Sequence, residues 1–152
     1  MKTFFLTFIS FYMLLSCRNS DDSFTPQNIT PTLIAQGNLF SEYSNTTTTS
    51  SNLIINNDPD WNSFISNMNN PNNLSMSFNE TNIDFNNFTI IAVFDQVRPT
   101  GRYQVTINSI IENNDNIIVD LNYTGNGDAT QMPSHPYCVV KIPKAKKQIL
   151  FQ

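Results

Sequence analysis

Histidine occurs once in this chain of 152 residues, at His135, and cysteine twice, at Cys17 and Cys138. A zinc site needs three or four nitrogen, sulfur or carboxylate ligands, and one His with one strand Cys cannot supply the softer ones. A Ser-His-Asp arrangement would have to use His135, which sits between Ser134 and Pro136 without a nucleophile-elbow pattern. Charge is scarce as well: 13% of residues are charged, with 8 basic and 12 acidic side chains and a formal charge of −4. No positive field exists to release counterions from phosphates, which excludes a nucleic-acid partner. With 4 glycines there is no phosphate-cradling loop. The cluster Gly125-Asn126-Gly127-Asp128 is too short and follows no strand-to-helix pattern. Asp115 and Asp120 lack the oxygen-rich spacing of a calcium loop. Neither a metal nor an organic cofactor is expected, and no catalytic residue can be named.

What the chain does have begins at its N-terminus. Lys2 precedes an uncharged apolar stretch, residues 4–15. Its roughly 12 residues are too few to span a bilayer core, which needs about 20, but suit the apolar region of a secretory signal. The stretch ends in Leu14-Leu15-Ser16-Cys17, which resembles a bacterial lipobox with Cys17 as the lipidated residue. Residues 1–16 are thus expected as a lipoprotein signal and residues 17–32 as a lipid-anchored flexible tether. A tether of that length reaches about 20 Å root-mean-square. Removal of Lys2 would leave a formal charge of −5. Arg18 after the Cys points by resemblance to the outer membrane, and Ser20-Asp21-Asp22 resembles the acidic signal of Bacteroidetes surface lipoproteins. The expected location is therefore the outer membrane, on its periplasmic or its cell-surface face. With Cys17 consumed by lipid, Cys138 has no disulfide partner.

One domain, residues 33–152, is expected to follow, since this length supports a single core. The helix signal lies at residues 59–69. Asp58 is the expected cap and Pro59 the first helical residue, with Trp61, Phe64, Ile65 and Met68 as the apolar stripe. The remainder reads as β: residues 33–40 interrupted at Gly37, residues 53–55, residues 75–80, and the near-continuous apolar run at 88–94, a central strand covered on both faces. Alternation then marks residues 103–111, broken near Ile110-Ile111, and residues 117–124 after an Asn-rich turn. Residues 137–142, with Cys138 on the face of Val140 and Ile142, and residues 148–151 complete the set. The fold class is α+β, a mainly antiparallel sheet structure of sandwich or barrel type with one short packed helix.

Between residues 94 and 103 runs Asp95-Gln96-Val97-Arg98-Pro99-Thr100-Gly101-Arg102. Pro99 presets a turn and Gly101 can take a left-handed conformation, so the segment reads as a tight hairpin to an antiparallel neighbour. Arg98 and Arg102 are then exposed flanks, whose truncation moves stability by less than about 0.5 kcal/mol.

Several of these residues together resemble the PrcB C-terminal-domain family, named after a lipoprotein subunit of a spirochaete surface protease complex. They are Trp61, Asp84-Phe85, the Arg98 to Tyr103 segment and Pro136-Tyr137 through Pro143, and the likeness extends over residues 53–151. The family commonly places two glycines before the Tyr, and Arg102 stands in the second position. The resemblance implies a non-enzymatic accessory, assembly or stabilising subunit of a protein complex, with a surface protease as one class of partner. Candidate partner contacts are Arg98, Thr100, Arg102, His135 and Tyr137. The alternative is a small secreted hydrolase or protease inhibitor using the loop 125–137.

Overall fold

The computed structural model describes residues 24–40, 50–70, 73–129 and 132–152. The expected signal and Cys17, the expected lipidation site, lie outside them. In chain order the elements are β1 (Gln27–Asn28), β2 (Thr32–Phe40), β3 (Ser51–Ile55), α1 (Asp58–Asn69), a 3₁₀ turn (Leu74–Ser77), β4 (Phe88–Phe94), β5 (Gln104–Glu112), β6 (Asn116–Thr124), β7 (Ser134–Pro143) and β8 (Gln148–Phe151). They form two four-stranded sheets, ordered β2-β7-β4-β3 and β1-β5-β6-β8. Every pairing is antiparallel except β6 with β8. The sheets pack as a sandwich, and α1 covers the outer face of the first, an α+β architecture.

This layering explains the run at β4. Ile90, Ala92 and Phe94 join the cluster under α1, while Ile91 and Val93 face the second sheet. Strand β7 alternates in the same way. Val139 turns to the helix, whereas Cys138, Val140 and Ile142 turn to the sheet interface. Cys138 is a buried free thiol whose pKa burial pushes up to about 11, so it packs as a small hydrophobe.

Helix α1 starts one residue before the expected first helical position, and its cap is Asn57 rather than Asp58. Asn57 Oδ1 accepts from the Asp60 N–H at 2.9 Å, and its amide donates to the Asp60 carboxylate at 2.8 Å. This exchange resembles a capping box, and Asp58 and Asp60 sit favourably at the positive end of the helix dipole. The stripe is buried as expected: Trp61, Phe64 and Met68 lie in the core and Ile65 packs against it.

Four expectations need correction. Residues 75–80 do not form a strand. The Asn69 side chain accepts from the Ser75 N–H, and the Ser77 hydroxyl donates to the Leu74 carbonyl, closing a local 3₁₀ turn instead. The interruption of β2 falls between Leu33 and Ala35, not at Gly37. The bulge of β5 falls between Ile107 and Ser109, and the extra residue brings Ile110 onto the core face already held by Val105. Finally, sheet pairing includes residues before 33. Gln27 and Asn28 pair with Glu112 and Ile111, and Ile29 donates to the Ile110 carbonyl, so part of the expected tether belongs to the second sheet.

Candidate functional site

The segment from Asp95 to Tyr103 is not a hairpin. Strand β4 lies in the first sheet and β5 in the second, so the turn carries the chain from one sheet to the other at one end of the sandwich. A crossover cannot rely on a ladder of its own, and its backbone groups find partners on the start of β7 and the loop after β6. Asp95 N–H donates to the Pro136 carbonyl at 2.9 Å. Arg98 and Ser134 exchange backbone hydrogen bonds at 2.7 and 3.0 Å. The Ser134 hydroxyl donates to the Thr100 carbonyl at 2.7 Å. The Gly101 N–H donates to Asp128 Oδ1 at 3.2 Å, and the Asp128 N–H reaches Thr100 Oγ1 at 3.4 Å. The two loops that looked separate in the sequence, 98–103 and 125–137, meet through Asp128, Ser134 and Pro136.

Asp95 is the charge at its centre, and it is 4% exposed. Its carboxylate accepts from Arg98 Nε at 2.6 Å, from a terminal guanidinium nitrogen of Arg98 at 3.0 Å, and from the Gln96 N–H at 2.7 Å. This two-pronged pairing holds the Arg98 pKa above its ordinary value. The guanidinium also lies over the Tyr103 ring, 5.1 Å from its centroid. Arg98 is therefore a structural clamp with a quarter of its side chain exposed, not a solvated flank.

The left-handed conformation sits at Arg102, with φ of 61°, and not at Gly101. That is the position where the resemblance places a second glycine. Arg102 is exposed, and no described carboxylate pairs with it. Gly125 and Gly127 have positive φ, and a Cβ on Gly125 would stand 2.2 Å from the Arg102 carbonyl. The loop after β6 thus rests directly on the crossover.

Two candidates from the end of the loop behave differently. Tyr137 is 3% exposed and belongs to the core under α1, its ring against Phe94, so it leaves the list of surface contacts. Burial pushes its hydroxyl pKa up. His135 is half-buried at the rim, its ring 5.5 Å from that of Phe94. Burial holds its pKa below 6.5, outweighing the Asp95 carbonyl and carboxylate, and its Nε2 is buried without a hydrogen-bond partner among the described residues. Strand alternation sends Ser134 and His135 to opposite faces of β7, and the Ser134 hydroxyl is spent on Thr100, so they make no nucleophile–base pair. Among the described residues no group of His, Cys, Asp and Glu could hold a metal.

The lowered His135 pKa has a measurable sign. The unfolded chain binds the proton more readily than the folded one, so the stabilisation is complete above 6.5 and is lost as pH falls towards the folded value. Melting temperature should therefore fall on acidification from pH 7 to about 5.5, and His135→Phe should flatten that slope. An identical slope in the variant would assign it to other groups.

Sequence reasoning missed Asp95 and Ser134. Asp95 had a signal: an acid closing an apolar strand, three residues before an Arg. Ser134 had none, because its partner lies 34 residues away.

The crossover and every segment that clamps it fall between β4 and β7. Residues 89–143 match the PrcB C-terminal family model. No curated protein and no solved structure matches the chain. The PrcB C-terminal match runs from Thr89 in β4 to Pro143 at the end of β7. It takes in Asp95, Arg98, Thr100, Arg102, Asp128 and Ser134, and it leaves out β1 to β3, α1 and β8.

Proposed function

We propose that the protein is a non-enzymatic accessory subunit of a protein complex, a protease complex being the first class to test. It is held at the outer membrane by lipid on Cys17 and meets its partner at the crossover end of the sandwich. The observation that carries this reading is that the PrcB C-terminal match coincides with the segment that builds and clamps the crossover. Arg102 and Thr100 are the contact residues. Arg102 presents an exposed guanidinium that no described carboxylate engages, on a backbone that the clamp below it holds in place. Arg98 and Tyr137 serve the fold, and His135 forms the rim. Lipidation at Cys17 rests on the lipobox-like Leu14-Leu15-Ser16-Cys17.

The test is a pull-down from detergent-solubilised membranes with the native chain and with Arg102→Glu. A stoichiometric protein partner is expected with the native chain. Charge reversal should weaken its capture by at least about tenfold, as loss of a binding hot spot does, while leaving the melting temperature unchanged. Absence of any stoichiometric partner would sink the accessory reading. Equal capture by the variant would move the contact away from the crossover. In parallel, Cys17→Ser should leave an unprocessed precursor without lipid label, and a normal-sized soluble product would exclude the anchor.

A further inference from the structure

The sandwich has two chemically distinct ends. Strand β5 starts at Gln104, beside the crossover, and finishes at Glu112. Strand β7 starts at Ser134 in the same cluster and finishes at Pro143. At roughly 3.4 Å per residue the far end of β5 lies about 27 Å from the crossover. That far end gathers the β5–β6 turn, the β7–β8 turn and the incoming N-terminal chain. Gln27 pairs with Glu112, so the chain joins the second sheet at the turn end. Lys147 pins it there a second time. Its Nζ lies 2.8 Å from Glu112 Oε1 and donates to the Asn113 carbonyl at 2.7 Å, with the Phe24 ring 4.1 Å away.

Resting on the lipid anchor proposed above, we infer that the domain is displayed with this turn end towards the bilayer and the crossover surface pointing away from it, towards a partner arriving from the aqueous side. Six residues lie between Cys17 and Phe24, so seven residue-to-residue steps join them. They span at most about 25 Å even when fully extended, no more than the length of β5 itself. The anchor therefore holds the turn end near the headgroups and cannot bring the crossover equally close without laying the domain on its side.

Single-cysteine labelling tests the orientation on the full lipidated chain. Asp115→Cys marks the turn end and Asn126→Cys the crossover end, and both positions are exposed. Cys138 is buried with its pKa raised to about 11, so it competes poorly for a thiol reagent. Each labelled protein is reconstituted into phosphatidylcholine vesicles carrying an acceptor-labelled phosphatidylethanolamine, and the mass of its N-terminal peptide is measured. Energy transfer from position 115 should exceed that from position 126 by about twofold or more, given the ~27 Å between the ends. Equal or reversed transfer in a chain that carries lipid on Cys17 would overturn the orientation and leave the anchor standing. A chain without lipid on Cys17 that stays off the vesicles would overturn both.

Discussion

Arg98→Ala is expected to lower the free energy of unfolding by about 2–4 kcal/mol, the cost of leaving a buried carboxylate without its counter-ion, reduced because Arg98 is partly solvated. The Asp95 side chain is 5% exposed and the Arg98 side chain 25%, so water reaches the guanidinium but barely reaches the acid. Truncating the Arg also removes the cation from the face of Tyr103 and loosens the crossover whose backbone it anchors to Ser134. Asp95→Ala should cost less, because the orphaned guanidinium can turn towards solvent. The double variant Asp95→Ala/Arg98→Ala should recover part of the loss seen with Arg98→Ala. Urea unfolding of the four proteins closes the cycle. A loss below about 0.5 kcal/mol for Arg98→Ala would restore the view of Arg98 as an exposed flank.

Trp61→Ala is expected to cost about 3–5 kcal/mol, the range for deleting a large aromatic from a packed core. Trp61 is 2% exposed. Its ring stacks on Phe64 at 5.4 Å and lies 6.3 Å from Phe78, and its Nε1 donates to the Thr81 carbonyl at 2.7 Å. The indole thus joins α1 to the segment after the 3₁₀ turn as well as to the sheet. Trp61→Phe keeps most of the packing but gives up the hydrogen bond to the carbonyl of the exposed Thr81, and should lose about 0.5–1.5 kcal/mol. As the one Trp in the chain, it also reports directly: native emission should be blue-shifted and should move red on unfolding. A water-like native maximum, or an unchanged melting temperature for Trp61→Ala, would contradict the packing.

What could be read in advance was set by short-range pattern. The helical stripe, the two-sided burial of β4 and the inward face of Cys138 all follow from periodicity within a few residues. The destination of the chain after β4 did not. A Pro-Gly turn between two apolar strands has the same local composition whether the second strand returns to the same sheet or crosses to the other. That choice is made by pairing with Ser134, Pro136 and the strand β6. The same limit hid the strand at Gln27–Asn28, which is too short to show alternation and exists because Glu112 and Ile111 complete it. At the site, Arg98 and Thr100 were legible as turn residues and His135 as a residue of a second loop. Their roles were not, because Asp95 and Ser134 set them through contacts absent from local sequence. Arg102 is the reverse case: Gly101 looked the better local candidate for the left-handed conformation, and the glycine of the resemblance at the next position was a sign left unused.

The sheet order has a consequence for the birth of the molecule. Thr32 pairs with Lys141, and Phe88 with Pro143, so β2 and β4 are held together only through β7 between them. A nascent chain released as far as β6 can close the β5–β6 hairpin and pair β3 with β4, but β2 must wait unpaired until about the last eighth of the polypeptide, from Ser134 on, emerges. Such long-range closure is slow, and its loop entropy is offset only when β7 arrives. A chain that cannot fold early stays threadable, as the export proposed above with the lipid anchor would require. The same delay exposes the apolar edge of β4 for as long as β7 is missing, so any truncation before Ser134 should aggregate rather than leave a smaller working domain.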